Sequence, residues 1–219
     1  MDMEAPAVPD RRSRRRQETI DEILAIAVQV MTEDGVTGLS VAEVARRLGV
    51  RPPSLYKYFP SLVAIYDELF RRGAQEHLAI RRDAMEQSQP GLPALIAGLE
   101  ASGRWLLANR AIAQLLFWRP VPSFEPSPEA FSASIEMVAL QRVALRDAVA
   151  AHQLGREADS DAAISVVATF ISGVITLAMA NEPNVEWGEG RFTPVFPKLM
   201  QLLPALYPPK PTRDARRRA

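Results

Sequence analysis

The sequence predicts an all-α protein of nine helices. Apolar residues recur at spacings of three and four along nearly all of the chain, and no strand-like alternation competes with them. Glycine and proline interrupt this pattern at intervals, as expected between helices. The 219 residues contain no cysteine, which excludes a disulfide framework and thiolate chemistry. This length predicts a small N-terminal head and a larger helical body.

The head begins with a first long helix, whose apolar face includes Ile23 and Val30. Ser40 then stands three residues before Glu43 at the start of a helix over 41–48, which is the spacing of a capping box. Gly49 supplies the backbone conformation that ends this helix. Two prolines open a short third helix over 52–58. Two short helices joined by a glycine turn predict a helix-turn-helix unit that reads DNA.

Charge is concentrated in this unit. Four cations face one anion between residues 40 and 60, although the whole chain balances 26 against 26. Arginines also cluster near both ends: Arg11, Arg12, Arg14, Arg15, Arg16, Arg213, Arg216, Arg217 and Arg218. These clusters either neutralise phosphates or are solvated tails. The predicted organisation is a disordered basic arm over 1–16, a DNA-binding domain over 17–60, a ligand-binding and dimerisation domain over 61–207 and a disordered basic tail over 208–219.

Residues 15 to 65 resemble the N-terminal domain of the tetracycline-repressor (TetR) family of transcriptional regulators. The matching motifs, in the family's order, are Glu33-Asp34-Gly35, Thr37, Val44-Ala45-Arg46-Arg47-Leu48-Gly49-Val50 and Leu55-Tyr56-Lys57-Tyr58-Phe59-Pro60-Ser61. The resemblance implies a TetR-like fold, a homodimer and repression that a ligand relieves by moving the fourth helix.

The resemblance also implies contacts with double-stranded DNA. Arg51, Pro53 and Ser54 are expected at base edges, Tyr56 and Tyr58 at phosphates, Thr37 near the backbone and Lys57 as a further contact. The family usually has a lysine where this chain has Leu62, so Lys57 or Arg47 is expected to offset that lost phosphate contact. An alternative is that the two tyrosine rings pack on the first helix.

The body opens with a fourth helix over about 61–87, which at about 1.5 Å per residue spans about 40 Å and connects head to body. Further helices are predicted over 92–108, 110–118, 127–153, 161–181 and 194–206. Residues 162–180 carry no charge, which is compatible with a membrane span. Small residues at four-residue spacing favour close helix packing instead. We expect a dimer interface of Ala168, Ser172, Thr176, Val195, Leu199 and Leu202, and therefore an inverted-repeat operator.

Bulky residues in the body predict an apolar pocket for a hydrophobic or aromatic small-molecule effector. The expected ligand-binding residues are Trp105, Asn109, Phe117, Met137, Gln141 and Phe170, although residues at such spacing also serve as ordinary core. His77 and His152 are predicted to be surface residues. No His, Cys and carboxylate cluster suggests a metal site, and no cofactor is expected.

These features favour a cytoplasmic regulator over an enzyme. The sequence has no cysteine, two histidines in unrelated places, no phosphate-binding loop and no paired carboxylates in an apolar setting. The N-terminus also lacks the apolar core of a signal peptide. Two alternatives use the same residues. One is a protein that coats DNA without sequence preference, and the other is a helical ligand-binding protein or enzyme.

Overall fold

A computed structural model describes residues 11–210, and these residues form helices and connecting turns without any strand. The α-helices are α1 (Arg11–Asp34), α2 (Val41–Leu48), α3 (Leu62–Glu86), α4 (Leu92–Ala108), α5 (Arg110–Phe117), α6 (Pro128–Ala150), α7 (Asp161–Asn181), α8 (Phe196–Met200) and α9 (Leu203–Leu206). Short 3₁₀ helices lie at Val36–Gly38, Pro52–Ser54, Arg156–Ala158 and Thr193–Val195. The predicted all-α class is confirmed.

The head forms as its capping residues predict. The Ser40 hydroxyl accepts a hydrogen bond from the Glu43 amide at 3.2 Å and so begins α2. Gly49 ends α2 in the left-handed region, with φ 69°. Its neighbour Val50 donates its amide to the Ala45 carbonyl at 3.0 Å, which completes a Schellman-type end. These two ends fix α2 at the eight residues that separate them.

The predicted third helix over 52–58 is instead a 3₁₀ turn, Pro52–Ser54, followed by further turns. Adjacent prolines supply no backbone N–H, and the first amides that follow bond three residues back. The Ser54 amide donates to the Arg51 carbonyl at 2.9 Å. Leu55 and Phe59 are nevertheless buried, as predicted. This segment, residues 51–58, is called the reading turn below.

The long helix α3 corresponds to the predicted fourth helix, and it joins the head to the body. Its N-cap Ser61 accepts a hydrogen bond from the Ala64 amide at 3.1 Å. The Tyr66 hydroxyl donates to the Val36 carbonyl at 2.7 Å. Arg72 forms an ion pair with Asp21 of α1 at 2.6 Å. The first half of α3 is therefore attached to the head, while its second half runs through the body.

The body differs from prediction at its C-terminal end, where the continuous helix expected over 194–206 is divided. Pro204 has no amide to donate to the Met200 carbonyl, so the helix stops and α9 begins anew. The predicted apolar stripe is divided as well. Phe196 and Leu203 are buried in the body, whereas Leu202 stays exposed.

The predicted basic arm also ends earlier than expected, because α1 begins at Arg11. Arg11 to Arg16 are therefore helical, and the Arg15 carbonyl accepts a hydrogen bond from the Thr19 hydroxyl at 2.9 Å. The rest of the arm, 1–10, and the tail from 211 to 219 lie outside the described residues.

Candidate DNA-binding surface and effector pocket

The reading turn presents several of the expected DNA contacts to solvent. Arg51, Pro53, Tyr56 and Lys57 are exposed, and Ser54 is half-buried. The Tyr56 side chain is 51% exposed although large and aromatic, so its ring is not part of the core. Arg51 and Lys57 form no ion pair with any carboxylate of residues 11–210. Both cations are thus available to an anionic partner.

Tyr58 has a different environment from Tyr56, because it packs against the start of α1. A hydrogen bond with Thr19 and the neighbouring Lys57 ammonium lower the pKa of its hydroxyl. The Arg16 guanidinium lies over its ring at 5.4 Å, and the Arg16 side chain also donates to the Lys57 carbonyl at 3.2 Å. The alternative considered for the tyrosines, packing on the first helix, therefore applies to Tyr58.

Arg47, an expected DNA contact, is held by carboxylates in the structure. Its guanidinium lies 2.7 Å from Glu43, 2.8 Å from Glu33 and 3.6 Å from Asp34. Hydrogen bonds from Arg46 and Arg47 lower the pKa of the Glu43 carboxyl to about 2. Arg47 therefore joins the end of α1 to α2, and its expected contact with DNA stays a prediction.

The two remaining head positions lie to either side of the reading turn. Thr37 is exposed on the 3₁₀ helix Val36–Gly38. Leu62, at the start of α3, is half-buried and brings no charge to the surface. Lys57 is consequently the cation left to offset the missing lysine.

The body contains a cavity of about 400 Å³ between α3, α4, α5, α6 and α7, and it is partly open to solvent. Of the six expected ligand-binding residues, Phe117, Met137 and Gln141 line it. The complete lining is Ala74, His77, Arg81, Leu99, Ser102, Leu106, Leu116, Phe117, Trp118, Phe131, Ser134, Met137, Val138, Gln141, Ala168, Ile171, Ser172 and Ile175. Most of these side chains are apolar.

The other three expected residues lie outside this lining. Trp105 is buried in the core, where its indole N–H donates to Glu76 at 3.1 Å. The Asn109 side chain donates to the Trp105 carbonyl at 3.0 Å and so occupies the end of α4. Phe170 packs against a cluster of buried residues of the body that includes Leu95, Leu145 and Val167. Each therefore has a local structural role.

Sequence reasoning missed three polar residues of the cavity, His77, Arg81 and Ser102. His77 was predicted to be a surface residue, and this is wrong because it is buried and stacks on Trp105 with ring centroids 5.0 Å apart. Burial, together with the neighbouring Arg81 charge, lowers the pKa of His77 to about 3. The sequence did contain a signal, since positions 70, 74, 77 and 81 continue the buried stripe of α3 at helical spacing.

Most of the expected dimer residues are exposed. Ala168, Ser172 and Thr176 are exposed along α7. Val195, just before α8, and Leu202, just before α9, are also exposed. Leu199 is half-buried. In length and composition α7 also resembles a membrane-spanning helix, and 28% of its most apolar window is buried. The long apolar helix therefore has one face in the body and one face uncovered in the monomer.

Within residues 11–210, no group of three His, Cys, Asp or Glu side chains is placed to hold a metal ion. The cavity lining carries one cation, one imidazole, one amide and three hydroxyls.

The head and the whole fold are each similar to known proteins. Residues 23–69 match the family model for bacterial regulatory proteins of the tetR family. The chain is 41% identical over 51 residues to the HTH-type transcriptional regulator YobS of Bacillus subtilis strain 168, which is 23% of this chain and 27% of YobS. It is 32% identical over 90 residues to the HTH-type transcriptional repressor DrrR1 of Streptomyces coeruleorubidus, which is 41% of this chain and 31% of DrrR1.

These two alignments thus span less than a third of either relative. The whole fold is similar to that of the TetR family transcriptional regulator PfmR from Thermus thermophilus, with a TM-score of 0.66 and 23% identity. That similarity covers 83% of this chain and 96% of PfmR. It extends the comparison from the head to the body.

Proposed function

We propose that the chain is a TetR-family regulator that represses transcription by binding an inverted-repeat operator as a homodimer, from which a hydrophobic or aromatic small-molecule effector releases it. Its family and its relatives are transcriptional regulators and not enzymes. The observation that carries the proposal is the exposed reading turn, in which Arg51 and Lys57 have no carboxylate partner among residues 11–210, while the neighbouring Arg47 has three.

The proposed contacts divide between bases and phosphates. Arg51, Pro53 and Ser54 stand at the start of the reading turn, where we assign them to base edges. Tyr56 and Lys57 are assigned to phosphates, which fix the position of the head on the duplex. Tyr58, packed on α1, positions this segment and presents its hydroxyl near the same surface. Thr37 is assigned to the DNA backbone.

The proposed homodimer covers the open face of α7. A stripe that contains Ala168, Ser172 and Thr176 allows two copies of α7 to approach closely, and the exposed Val195 and Leu202 extend this apolar surface. A two-fold axis through this face would place two heads on one side of the duplex, which is why an inverted repeat is expected. We assign the protein to the cytoplasm, with α7 at a dimer interface and not in a membrane.

The proposed release acts through α3. Its N-terminal half is bonded to the head by Tyr66 and Arg72, and its C-terminal half supplies Ala74, His77 and Arg81 to the cavity. His77 lies 16 residues after Ser61, or about 24 Å along the helix. An effector that binds the released form about 100-fold better than the DNA-bound form contributes about 2.7 kcal/mol to the shift.

Non-specific coating of DNA is the second candidate, because it needs only the arginines of α1 and the exposed cations of the head. The two functions differ in their response to competitor DNA. Sequence-specific binding persists in excess random DNA, whereas coating is diluted in proportion to it.

Selection from fragmented genomic DNA of the source organism tests the proposal. The purified protein is mixed with the fragments and excess random DNA, and the retained fragments are sequenced. Enrichment of one inverted repeat is expected. Uniform recovery would support coating, and failure to recover DNA would reject both functions. Arg51→Ala is expected to enrich a repeat with altered base preference at one position of each half-site, whereas Arg156→Ala, an equal change of charge at an exposed site in the body, is expected to enrich the same repeat as the wild type.

A further inference from the structure

Arg81 of α3 is a buried cation without an anionic partner. Its side chain lines the cavity, and the residue is only 5% exposed. No carboxylate of the described residues lies within 4.0 Å of its guanidinium. Its one protein hydrogen bond runs from Nη2 to the Gln141 side-chain oxygen at 3.1 Å, and Gln141 in turn donates to the Ile164 carbonyl at 3.0 Å. Gln141 is neutral, so the Arg81 charge is uncompensated.

Other polar atoms at the cavity also lack partners. These are Nε of Arg81, both ring nitrogens of His77 and the hydroxyl of Ser102. A buried donor without an acceptor lowers the stability of a protein, and an unpaired buried charge lowers it more. Proteins retain such groups where they serve a function, because apolar residues of similar size would otherwise be more stable. The grouping of three such residues at one cavity indicates a binding site.

The backbone holds this site in a fixed arrangement. His77 and Arg81 are four residues apart on α3, so their side chains project from the same face of the helix. Gly98 of α4 lies against the Arg81 stem, and a Cβ added there would stand 3.2 Å from Arg81 Cγ and 2.6 Å from Met85 Cγ. The absence of a side chain at Gly98 thus lets α4 pack close to Arg81.

We propose that the effector is an amphipathic anion, whose carboxylate or similar acidic group binds Arg81 and whose apolar body occupies the rest of the cavity. This inference rests on the proposed function, since it names the chemical class of the effector. Arginine suits a carboxylate because its N–H groups form a planar fork that matches the two oxygens. Ser102 and a neutral His77 supply further hydrogen bonds. The apolar body lies among residues such as Leu116, Phe131 and Met137.

The position of the anion explains how binding reaches the head. Arg81 and His77 belong to α3, so a ligand that draws the guanidinium toward itself acts directly on the helix that begins beside the reading turn. An apolar molecule without the acidic group would fill the cavity without this contact. The anion is therefore the part of the effector that both selects it and acts on α3.

Two pairs of probes test the inference: decanoate with decanol, and naphthoate with naphthylmethanol. Each pair keeps the apolar body and changes the acidic group. Titration calorimetry on the purified full chain is expected to give an affinity roughly ten- to one-hundred-fold higher for at least one carboxylate than for its alcohol. Equal affinity for the carboxylates and the alcohols, or tighter binding of the alcohols, would overturn the inference that the effector is an anion. Failure of both carboxylates to bind at about 1 mM would also overturn it.

Substitutions at neighbouring arginines provide the matched control. Arg81→Met is expected to remove the preference for the carboxylate, and Arg81→Lys to retain part of it. Arg82→Met changes the next residue, which is more exposed and paired with Glu136 at 3.0 Å, and is expected to leave the preference unchanged. A preference that survives in Arg81→Met overturns the inference. If Arg81→Met does not fold, a full preference in Arg82→Met with a reduced one in Arg81→Lys still supports it.

Retention of the enriched genomic fragment distinguishes rejection of the anionic effector from rejection of the proposed function. The same protein samples are tested for retention of the enriched genomic fragment. If the alcohols bind and release the fragment as well as the carboxylates do, the proposal of a ligand-released repressor is supported. The inference that the effector is an anion is then rejected. If no specific fragment is retained, the proposed function itself is rejected, whichever probe binds.

Discussion

Arg47 in the head and Arg81 in the body are both arginines on helices beside the core, but their surroundings are opposite. Arg47 lies within 4 Å of three carboxylates and is partly accessible to water. Arg81 is buried and has one neutral partner. The first arrangement stabilises the protein as it stands, because each charge is compensated. The charge of Arg81 is compensated only when an anion enters the cavity.

The difference extends to the regions around the two residues. In the head, the cap of Ser40, the turn at Gly49 and the carboxylates around Arg47 fix α2 before any DNA is present. In the body, Nε of Arg81, both ring nitrogens of His77 and the Ser102 hydroxyl have no hydrogen-bond partner among residues 11–210. We conclude that the head is arranged in advance for its partner, and that the body keeps binding capacity for a ligand.

The largest effect is expected from a substitution on the exposed face of α7, because two heads bind one operator together only if the dimer holds them. Thr176→Glu places a carboxylate, and its symmetry copy, in the proposed apolar interface. We expect the dimer to dissociate and the affinity for the enriched fragment to fall by at least about 100-fold, equivalent to about 2.7 kcal/mol. Sedimentation and fluorescence anisotropy measure the two effects. Ala79→Glu, at an exposed position on α3, is the control. A Thr176→Glu protein that remained dimeric would contradict the interface.

The buried His77 of the body should make the stability of the protein depend on pH. Burial lowers its folded pKa to about 3, whereas a histidine in an unfolded chain titrates near about 6.5. Because the unfolded chain binds the proton first, this stabilising contribution is present above about pH 6.5 and is lost as pH falls toward 3. At about pH 4.5 the loss is roughly 2–3 kcal/mol. Urea unfolding should therefore depend less steeply on pH in His77→Leu than in the wild type. Parallel pH curves would show that His77 is not buried neutral.

Within the head, base and phosphate contacts can be separated by two substitutions in the reading turn. Arg51→Ala is expected to change base preference at one position of each half-site, with a cost of about 1–3 kcal/mol at the preferred base. Tyr56→Phe removes one hydroxyl and is expected to weaken all sequences about equally, by about 1 kcal/mol. Binding to a library of half-site variants measures both. An equal loss on every sequence for Arg51→Ala would reject its assignment to a base.

The smallest effect is expected at the helix cap that orients the head. Ser40→Ala removes the acceptor for the Glu43 amide and should lower the free energy of unfolding by about 1 kcal/mol. Ser132→Ala, at an exposed site in the first turns of α6, is the control and should change stability little. Chemical unfolding compares them. A cost no larger than that of the control would mean that α2 does not depend on this cap.

Helix positions follow from the sequence because apolar periodicity, caps and prolines act locally. The prediction of 92–108 coincides with α4, and that of 161–181 with α7. Proline was underestimated in two places, at the reading turn and at Pro204, where the missing amides shorten or divide a helix. There the apolar spacing stayed regular, so periodicity alone indicated a longer helix.

The cavity was harder to predict because its polar residues lie on an apolar stripe. Arginine and histidine are ordinarily assigned to the surface, and only the three-dimensional packing of α4 beside α3 removes Arg81 from water. The partner of a charged residue is likewise a tertiary property. Arg47 has one local partner, Glu43 four residues earlier on α2, but its other two carboxylates come from α1. Arg81 has no acidic residue three or four positions away on α3.

The most direct test of the account compares Arg47→Met and Arg81→Met with the wild type in binding to the enriched DNA fragment, with and without decanoate or whichever probe carboxylate binds. Arg47→Met should weaken DNA binding in the absence of the carboxylate while still responding to it. Arg81→Met should bind the fragment as tightly as the wild type and no longer be released. If Arg81→Met responds to the carboxylate as the wild type does, or if Arg47→Met binds DNA normally, the proposed division between a compensated head and a ligand-dependent body is contradicted.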